Sequence, residues 1–456
     1  MSRRFDAIVI GAGQAGPPMV GRIAASGKTV ALIERKLIGG TCVNTGCTPT
    51  KTLVASAYAA HLARRAADFG VTAGPVGVDF TAVMARKDKV VGASRSGLEA
   101  WLKGMANCTL FEGHARFLSP TTVRVGDDVL EADRFFINVG CRPVLPDFPG
   151  RDQVRTLTNT TLLELDALPP RLVIVGGSYI GLEFAQIFRR FGSEVTVVEK
   201  MPRLIAHEDE GVSDAIREAL EAEGIKVRLA AECIRFATRG ADIAVGVNCA
   251  AGEPEELGSH VLLAVGRRPN TDDLGLEAAG VKVDARGYIA VDDGLRTSVP
   301  HIWALGDCNG RGAFTHTSYN DFEIVAANLL DGAQRKVSDR IPVYALYVDP
   351  PLGRVGLTEA EARAKGHAVR IGVRPMTRVG RAVEKGETRG FIKVVVDRDT
   401  DAILGAAILG VGGDEAIHGV IEAMAAGVTA SAYTRVMAIH PTVSELVPTV
   451  FGELSA

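Results

Sequence analysis

A strand, a glycine turn, a helix, a second strand and a closing acid occur in that order twice in this 456-residue chain. Residues 5–10 are apolar and β-prone, and Gly11-Ala12-Gly13-Gln14-Ala15-Gly16 follows directly. A helix is predicted from about Pro17 to Ala25, because the two prolines fit only a first turn, where N–H groups have no intrahelical acceptor. A strand over about 28–33 then ends in Glu34. The second copy has a strand at 171–175, the turn Gly176-Gly177-Ser178-Tyr179-Ile180-Gly181, a helix to about Phe191, and a strand at 194–198 ending in Glu199. In both copies the acid lies 18 residues beyond the last glycine (34 − 16 and 199 − 181). Two such βαβ units restrict the chain to an α/β architecture with two dinucleotide sites.

The glycines have separate tasks. Gly11 permits the tight turn, Gly13 lets a pyrophosphate approach the backbone, and Gly16 permits close helix–strand packing, with Glu34 placed to accept from a ribose hydroxyl. In the second copy Ser178 stands at the middle position, which hinders that approach without blocking it. A carboxylate at Glu199 repels a 2′-phosphate and favours NADH, although Lys200 and Arg203 follow it and soften the repulsion.

A chain of this length exceeds one hydrophobic core, so two to four domains are expected. Net charge of −3, from 51 basic and 54 acidic residues, offers no nucleic-acid partner. No stretch is apolar and long enough to span a bilayer, and Asp6 interrupts the only leader-like run. After about residue 338 the pattern changes to strands near 343–347, 353–357, 368–374, 389–397 and 402–410 mixed with helices, an α+β domain of its own. Helices are also expected around 49–66, 80–104 and 317–331, with β-rich segments from the second unit to about Gly266.

Between the two units of pattern lies Gly39-Gly40-Thr41-Cys42-Val43-Asn44-Thr45-Gly46-Cys47-Thr48-Pro49-Thr50-Lys51. Two thiols in this spacing close a small disulfide ring, and a nearby helix N-terminus with Lys51 would lower a thiolate pKa. Seven cysteines without regular spacing suit a reducing cytoplasm, where such a pair is catalytic. Cys108, Cys141, Cys233, Cys249 and Cys308 lack this context and read as packing residues or surface thiols. His440, with Glu445 five residues on, is an acid/base pair only if it is brought to the thiols; alone it reads as a cap or a satisfied core histidine.

The ordered segments GAGQAG, GGTCVNTGCTPTK, INVGCRP (137–143), GGSYIGLE (176–183), AVGRRPN (264–270), IWALGD (302–307) and HPTVSE (440–445) resemble the flavoprotein pyridine nucleotide–disulfide oxidoreductases over essentially the whole chain. The resemblance implies a FAD domain at 1–145 and 268–338, a NAD(P) domain at 146–267, and a C-terminal dimerisation domain at 339–456. It implies that Cys47 is the thiol nearest the flavin and Cys42 the thiol that attacks substrate. Lys51 would lie by the flavin and pair with Glu183, and Tyr179 would be the aromatic gate over it. Asp307, Gly40, Thr41, Gly140, Ala115 and Thr315 would contact FAD, and Gly266 the NAD ribose. His440, held by Glu445, would come from the other subunit of a homodimer.

The run GGTCVNTGCTPTKTLV is similar to mercuric-reductase-like chains and to the reactive-chlorine-response flavoproteins. Mercuric reductases carry a vicinal C-terminal cysteine pair and an N-terminal CxxC domain, and neither is present in this sequence. The expected reaction therefore passes electrons from NAD(P)H through FAD and the cysteine pair to a small disulfide, a thiol-reactive oxidant or a soft metal ion. No resident metal is expected. A dihydrolipoamide dehydrogenase is the first alternative, from which Thr48, Thr50 and Tyr179 depart; a redox-sensing flavoprotein without turnover is the second.

Overall fold

The computed structural model of the protein describes residues 3–248 and 255–455. Two compact units form: Met1–Thr52 with Met84–Leu145 and Val265–Arg340, and Leu53–Val83 with Pro146–Ala264 and Ile341–Ala456.

In the first unit, strand β1 (Arg3–Ile10) lies between β2 (Val30–Glu34) and the strand Asp128–Ile137, parallel to both. Cys108–Glu112 and Ile302–Ala304 extend the parallel set on either side, and two antiparallel strands complete a seven-stranded sheet. Ile8 and Ile10 face one core with Phe117 and Phe135. Ala7 and Val9 face another with Met19, Phe136 and Trp303. Burial on both faces explains why β1 reads as a continuous apolar run rather than an alternating one. Helix α1 (Gly16–Ala25) follows the first glycine turn, with its prolines in the first turn.

The second unit contains the same arrangement. Lys226–Arg228, Glu194–Val198, Arg171–Val175, His260–Leu263 and Thr156–Leu157 form a five-stranded parallel sheet in that order. The helix Tyr179–Phe191 packs on it with ten buried residues. The segment expected to be β-rich throughout contains a 13-residue helix, Glu210–Ala222, whose buried Val212, Ile216, Ala219 and Leu220 recur at helical spacing. Residues 343–409 contribute the strands of a separate five-stranded antiparallel sheet. Among the described residues no helix is long and apolar enough to cross a membrane.

One small element adds to the sequence reading and one cysteine departs from it. The redox segment is helical: α2 (Gly40–Thr45) precedes α3 (Cys47–Arg64), with Gly46 between them. Cys233 is disulfide-bonded rather than a lone thiol, and Cys249 lies outside the described residues.

Candidate active site

Four predicted or neighbouring site residues of the first unit lie at the carboxyl ends of its parallel strands. Gly11 follows β1, Glu34 ends β2, Asn138 follows Asp128–Ile137, and Asp307 lies just beyond Ile302–Ala304. This crevice is where open α/β sheets bind dinucleotides. Gly11 has φ +104°, and a Cβ there would meet Asn138 O at 2.2 Å. A Cβ on Gly16 would meet Gly11 O at 2.2 Å, so α1 approaches the turn closely. Glu34 accepts from Ala12 N (2.8 Å) and Lys36 N (2.8 Å) and thereby fixes the turn.

The second glycine turn repeats this geometry. Glu199 accepts from Gly177 N (2.5 Å) and Met201 N (2.8 Å), the positions equivalent to Ala12 and Lys36. Gly176 has φ +119° and would meet Ala264 O at 2.4 Å; Gly181 would meet Gly176 O at 2.0 Å. Ser178 caps the helix by position, in extended conformation, without a side-chain capping bond. Ile205 N donates to Gly177 O at 3.0 Å, which folds the loop after Glu199 onto the turn.

The redox pair is built onto the first turn. Gly39 N donates to Ala12 O (2.8 Å), and Gln14 Nε2 donates to Gly39 O (3.2 Å). Gly40, at φ +59°, lies so close that a Cβ would stand 2.8 Å from Gly13 Cα. Asn44 Nδ2 donates to Ile38 O (2.9 Å) and Gly40 O (3.0 Å), closing the α2 turn. Cys42 and Cys47 are free thiols that share a hydrogen bond. Cys47 Sγ also lies 3.1 Å from Thr315 Oγ1, at the start of the helix Thr315–Leu330. Lys51 is one turn beyond Cys47 on α3.

One electrostatic expectation is corrected. The Cys42 thiol is pushed up rather than down, first by its hydrogen bond with Cys47 and then by burial. Two adjacent sulfurs share one ionisation, so the second proton is held far more tightly than the first.

Burial also raises the Asp307 carboxyl, with Arg267 the principal opposing charge. Asp307 sits in the turn Gly306–Asn309, which the buried Asp321 holds by accepting from Gly306 N and Asn309 Nδ2, each at 2.8 Å. Arg340 in turn pairs with Asp321. A desolvated carboxylate beside an open glycine turn suits the hydroxyls of a ribityl chain or ribose, so these residues fit FAD. Gly140 is at φ +61°, Ala115 opens the strand Ala115–Ser119, and Gly266, at φ +119°, belongs to the first unit, where its carbonyl accepts from Val144 N.

Three groups of side chains escaped the motif reading. Asn138, with its amide oxygen turned to the loop, accepts from Ala15 N (3.2 Å) and Gly16 N (3.3 Å). Arg267 donates to Cys141 O (2.5 Å) and reaches Thr41 Oγ1 (3.4 Å). Asp321 and Arg340 hold the Asp307 turn. Asn138 and Arg267 fall within two of the quoted segments, and only their contacts across the chain reveal their part.

In the second unit, Tyr179 opens the helix Tyr179–Phe191 and Glu183 lies one turn on, buried, accepting from Tyr347 N (3.1 Å). His440 Nδ1 is 2.9 Å from Glu445 Oε2.

Residues 5–321 match the pyridine nucleotide-disulphide oxidoreductase family, and 343–451 its dimerisation domain. The chain is 37% identical over 446 residues to a dihydrolipoyl dehydrogenase of Thermus scotoductus, covering 97% of this chain and 96% of that one. It is 35% identical over 457 residues to the probable pyridine nucleotide-disulfide oxidoreductase RclA of Escherichia coli, covering 98% and 99%. A solved Cu(II) complex of the HOCl-induced flavoprotein disulfide reductase RclA from that organism superposes with a TM-score of 0.90 at 34% identity, covering 99% of each chain. The paired glycine turns, the cysteine pair seated on the first of them, and this whole-chain agreement place the protein among the class I FAD-dependent pyridine nucleotide–disulfide oxidoreductases, close to the RclA and mercuric-reductase-like flavoproteins.

Proposed function

We propose that this FAD- and NAD(P)H-dependent oxidoreductase reduces a small oxidised acceptor with Cys42 as the attacking thiol and Cys47 as the thiol beside the cofactor. The observation that carries this reading is the seating of α2 against the first glycine turn, Gly40 on Gly13, with both thiols in mutual contact. FAD, when bound, supplies the two-electron carrier between a nicotinamide hydride and sulfur.

The residues divide the work as follows. Two electrons and a proton open the Cys42–Cys47 disulfide to a Cys42 thiol and a Cys47 thiolate. His440, whose ring Glu445 orients, takes the Cys42 proton as that sulfur attacks the acceptor disulfide and forms a mixed disulfide. The departing thiolate takes this proton back from His440. The Cys47 thiolate then attacks the Cys42 sulfur and restores the disulfide, and the second acceptor thiolate leaves with a proton from solvent. The balance is NADH + H⁺ + RSSR giving NAD⁺ + 2 RSH. Lys51, paired with Glu183, would hold charge near the reacting edge, and Tyr179 would cover it until nicotinamide enters. Glu199 favours NADH, since its carboxylate is already anchored by two backbone N–H groups and faces any 2′-phosphate with negative charge.

A homodimer in the cytoplasm, with His440 supplied across the interface, completes the reading. The domains would run 1–145 with 268–338, 146–267, and 339–456. The acceptor class is a disulfide, a thiol-reactive oxidant or a soft metal ion. Support comes from the RclA relative, which is described as HOCl-induced, as a disulfide reductase and as a Cu(II) complex. The 37% identity to a dihydrolipoyl dehydrogenase favours a second reading, dihydrolipoamide oxidation with NAD⁺.

Steady-state assays with NADH, set against a disulfide, hypochlorite-derived oxidants, Cu(II) and Hg(II), test the first reading. Loss of acceptor turnover in Cys42→Ser supports it, and undiminished turnover removes the dithiol mechanism. Turnover of dihydrolipoamide with NAD⁺ that exceeds all of these would establish the second reading.

A further inference from the structure

His61, Glu223 and Asp349 bring a ring nitrogen and two carboxylates within 4.8 Å of one another in the second unit, an arrangement that invites a metal ion. The centre already holds a cation. Arg190, 5% exposed, donates Nε and Nη2 to the two Glu223 oxygens at 2.9 and 2.7 Å, and Nη2 also reaches Asp349 Oδ2 at 2.6 Å. A guanidinium does not deprotonate in a protein, so a divalent ion would meet a fixed positive charge there. Burial and then the Arg190 charge lower the His61 pKa and keep its ring neutral. The cluster is a buried ionic node.

Its position gives it a role. Tyr179, Glu183, Gln186 and Arg190 lie on one helix at intervals of four, three and four residues, within roughly 60° of one another around its axis. The last three all bond the segment 347–349. Glu183 accepts from Tyr347 N (3.1 Å). Gln186 accepts from Asp349 N (2.7 Å) and donates to Asp349 O (2.9 Å). Arg190 pairs with the Asp349 carboxylate. The same node takes in the far end of α3: Arg64 Nη1 donates to Arg190 O at 2.6 Å, and Tyr58 OH donates to Glu387 Oε1 at 2.6 Å. α3 is one unbroken helix whose first residue is Cys47.

We propose that Arg190, acting with Gln186 and Asp349, is a positioning residue for the nicotinamide half of the reaction: it fixes the angle and register of the helix that carries Tyr179 and Glu183. This rests on the roles given to those two residues above. A helix transmits displacement as a rod, and Arg190 stands only about 10 Å along the axis from Glu183 and about 16 Å from Tyr179. A buried ion pair contributes little net stability, because desolvation offsets most of its attraction, whereas its geometry is tightly specified. Position is therefore the property such a node contributes here.

The test uses FAD-loaded full-length enzyme and stopped-flow reduction of its flavin by NADH, with FAD content and melting temperature measured in parallel. Asp349→Asn, Gln186→Leu, Arg190→Lys and the charge-free combination Arg190→Met/Glu223→Gln/Asp349→Asn are compared with wild type. Expected is a ten- to hundredfold slower flavin reduction, of the size a displacement near 1 Å produces, with FAD content kept and kcat affected more than the KM for NADH. Arg190→Lys, which keeps the charge but loses the fork, recovers only part of the rate. Wild-type flavin reduction in variants that merely melt lower overturns the proposal. If the combination does not fold, Asp349→Asn and Gln186→Leu decide by the same criterion. Cys42→Ser acts on the acceptor half-reaction, so the dithiol reading stands or falls in a separate measurement.

Discussion

His440 Nδ1 lies 2.9 Å from Glu445 Oε2, yet the histidine side chain is 81% exposed while that of the glutamate is 13% exposed. One face of the ring is thus oriented by a sheltered carboxylate and the other is presented outward. Nearby Met437 and Ile439 are 96% and 80% exposed. Large apolar side chains in that state mark a surface made to be covered, and the dimerisation-domain match at 343–451 names the kind of cover.

If His440 serves the thiols of a second copy, two inactive variants complement each other. His440→Gln should lower acceptor turnover by roughly 10²- to 10⁴-fold, and Cys42→Ser should abolish it. Mixed dimers of the two contain one intact site each, so a statistical mixture recovers about a quarter of wild-type activity by the two-fold symmetry of such interfaces. No recovery after subunit exchange, shown by mixed-tag pull-down, would place His440 and Cys42 of one chain together.

The shared proton between Cys42 and Cys47 predicts a pH signature. The Cys42 thiol is raised by Cys47 and by burial, so in the reduced pair Cys42 keeps its proton throughout the pH range in which an ordinary thiol titrates. Iodoacetamide labelling of anaerobically reduced enzyme, followed by mass spectrometry, should find one fast-reacting sulfur of the pair across that range. Two sulfurs reacting equally fast below pH 9 contradict the coupling.

Gly16 and Gly181 are equivalent by geometry and should separate by cofactor. A Cβ would come within 2.2 Å of Gly11 O in one and 2.0 Å of Gly176 O in the other. Gly16→Ala is expected to purify with little FAD. Gly181→Ala is expected to keep FAD but to raise the KM for NADH at least tenfold. Flavin absorbance of the purified proteins and NADH titration distinguish them; loss of FAD from both variants would refute the separation.

Removing the Glu199 carboxylate should weaken the preference for NADH. Glu199→Gln should narrow the NADH-over-NADPH ratio of kcat/KM by about tenfold, as Lys200 and Arg203 are left without an opposing charge. Glu199→Ala should in addition lower stability by about 1–3 kcal/mol, because the N–H groups of Gly177 and Met201 lose their acceptor. An unchanged ratio in both variants removes Glu199 from dinucleotide selection.

What was legible in the chain is what is encoded within a few tens of residues. The turns at Gly11–Gly16 and Gly176–Gly181, the acids at Glu34 and Glu199, and the Cys42–Cys47 pair are local patterns, since a tight turn needs its glycines in sequence and the prolines of α1 are accepted only in a helix's first turn. The helix Glu210–Ala222 is not legible because its exposed face is polar and its flanks are strand-like, and α2 is only six residues long, too short to show a helical period.

The tertiary structure alone decided which distant groups hold those patterns in place. Asp321 reaches the Asp307 turn from a helix, Asn138 caps the first glycine turn from another strand, and Arg190 meets Asp349 across 159 residues. These are hydrogen bonds and ion pairs of ordinary residue types with no spacing rule, so nothing in the order of amino acids marks them. They become specific only when burial removes water as the competing partner and leaves each charge one place to be satisfied.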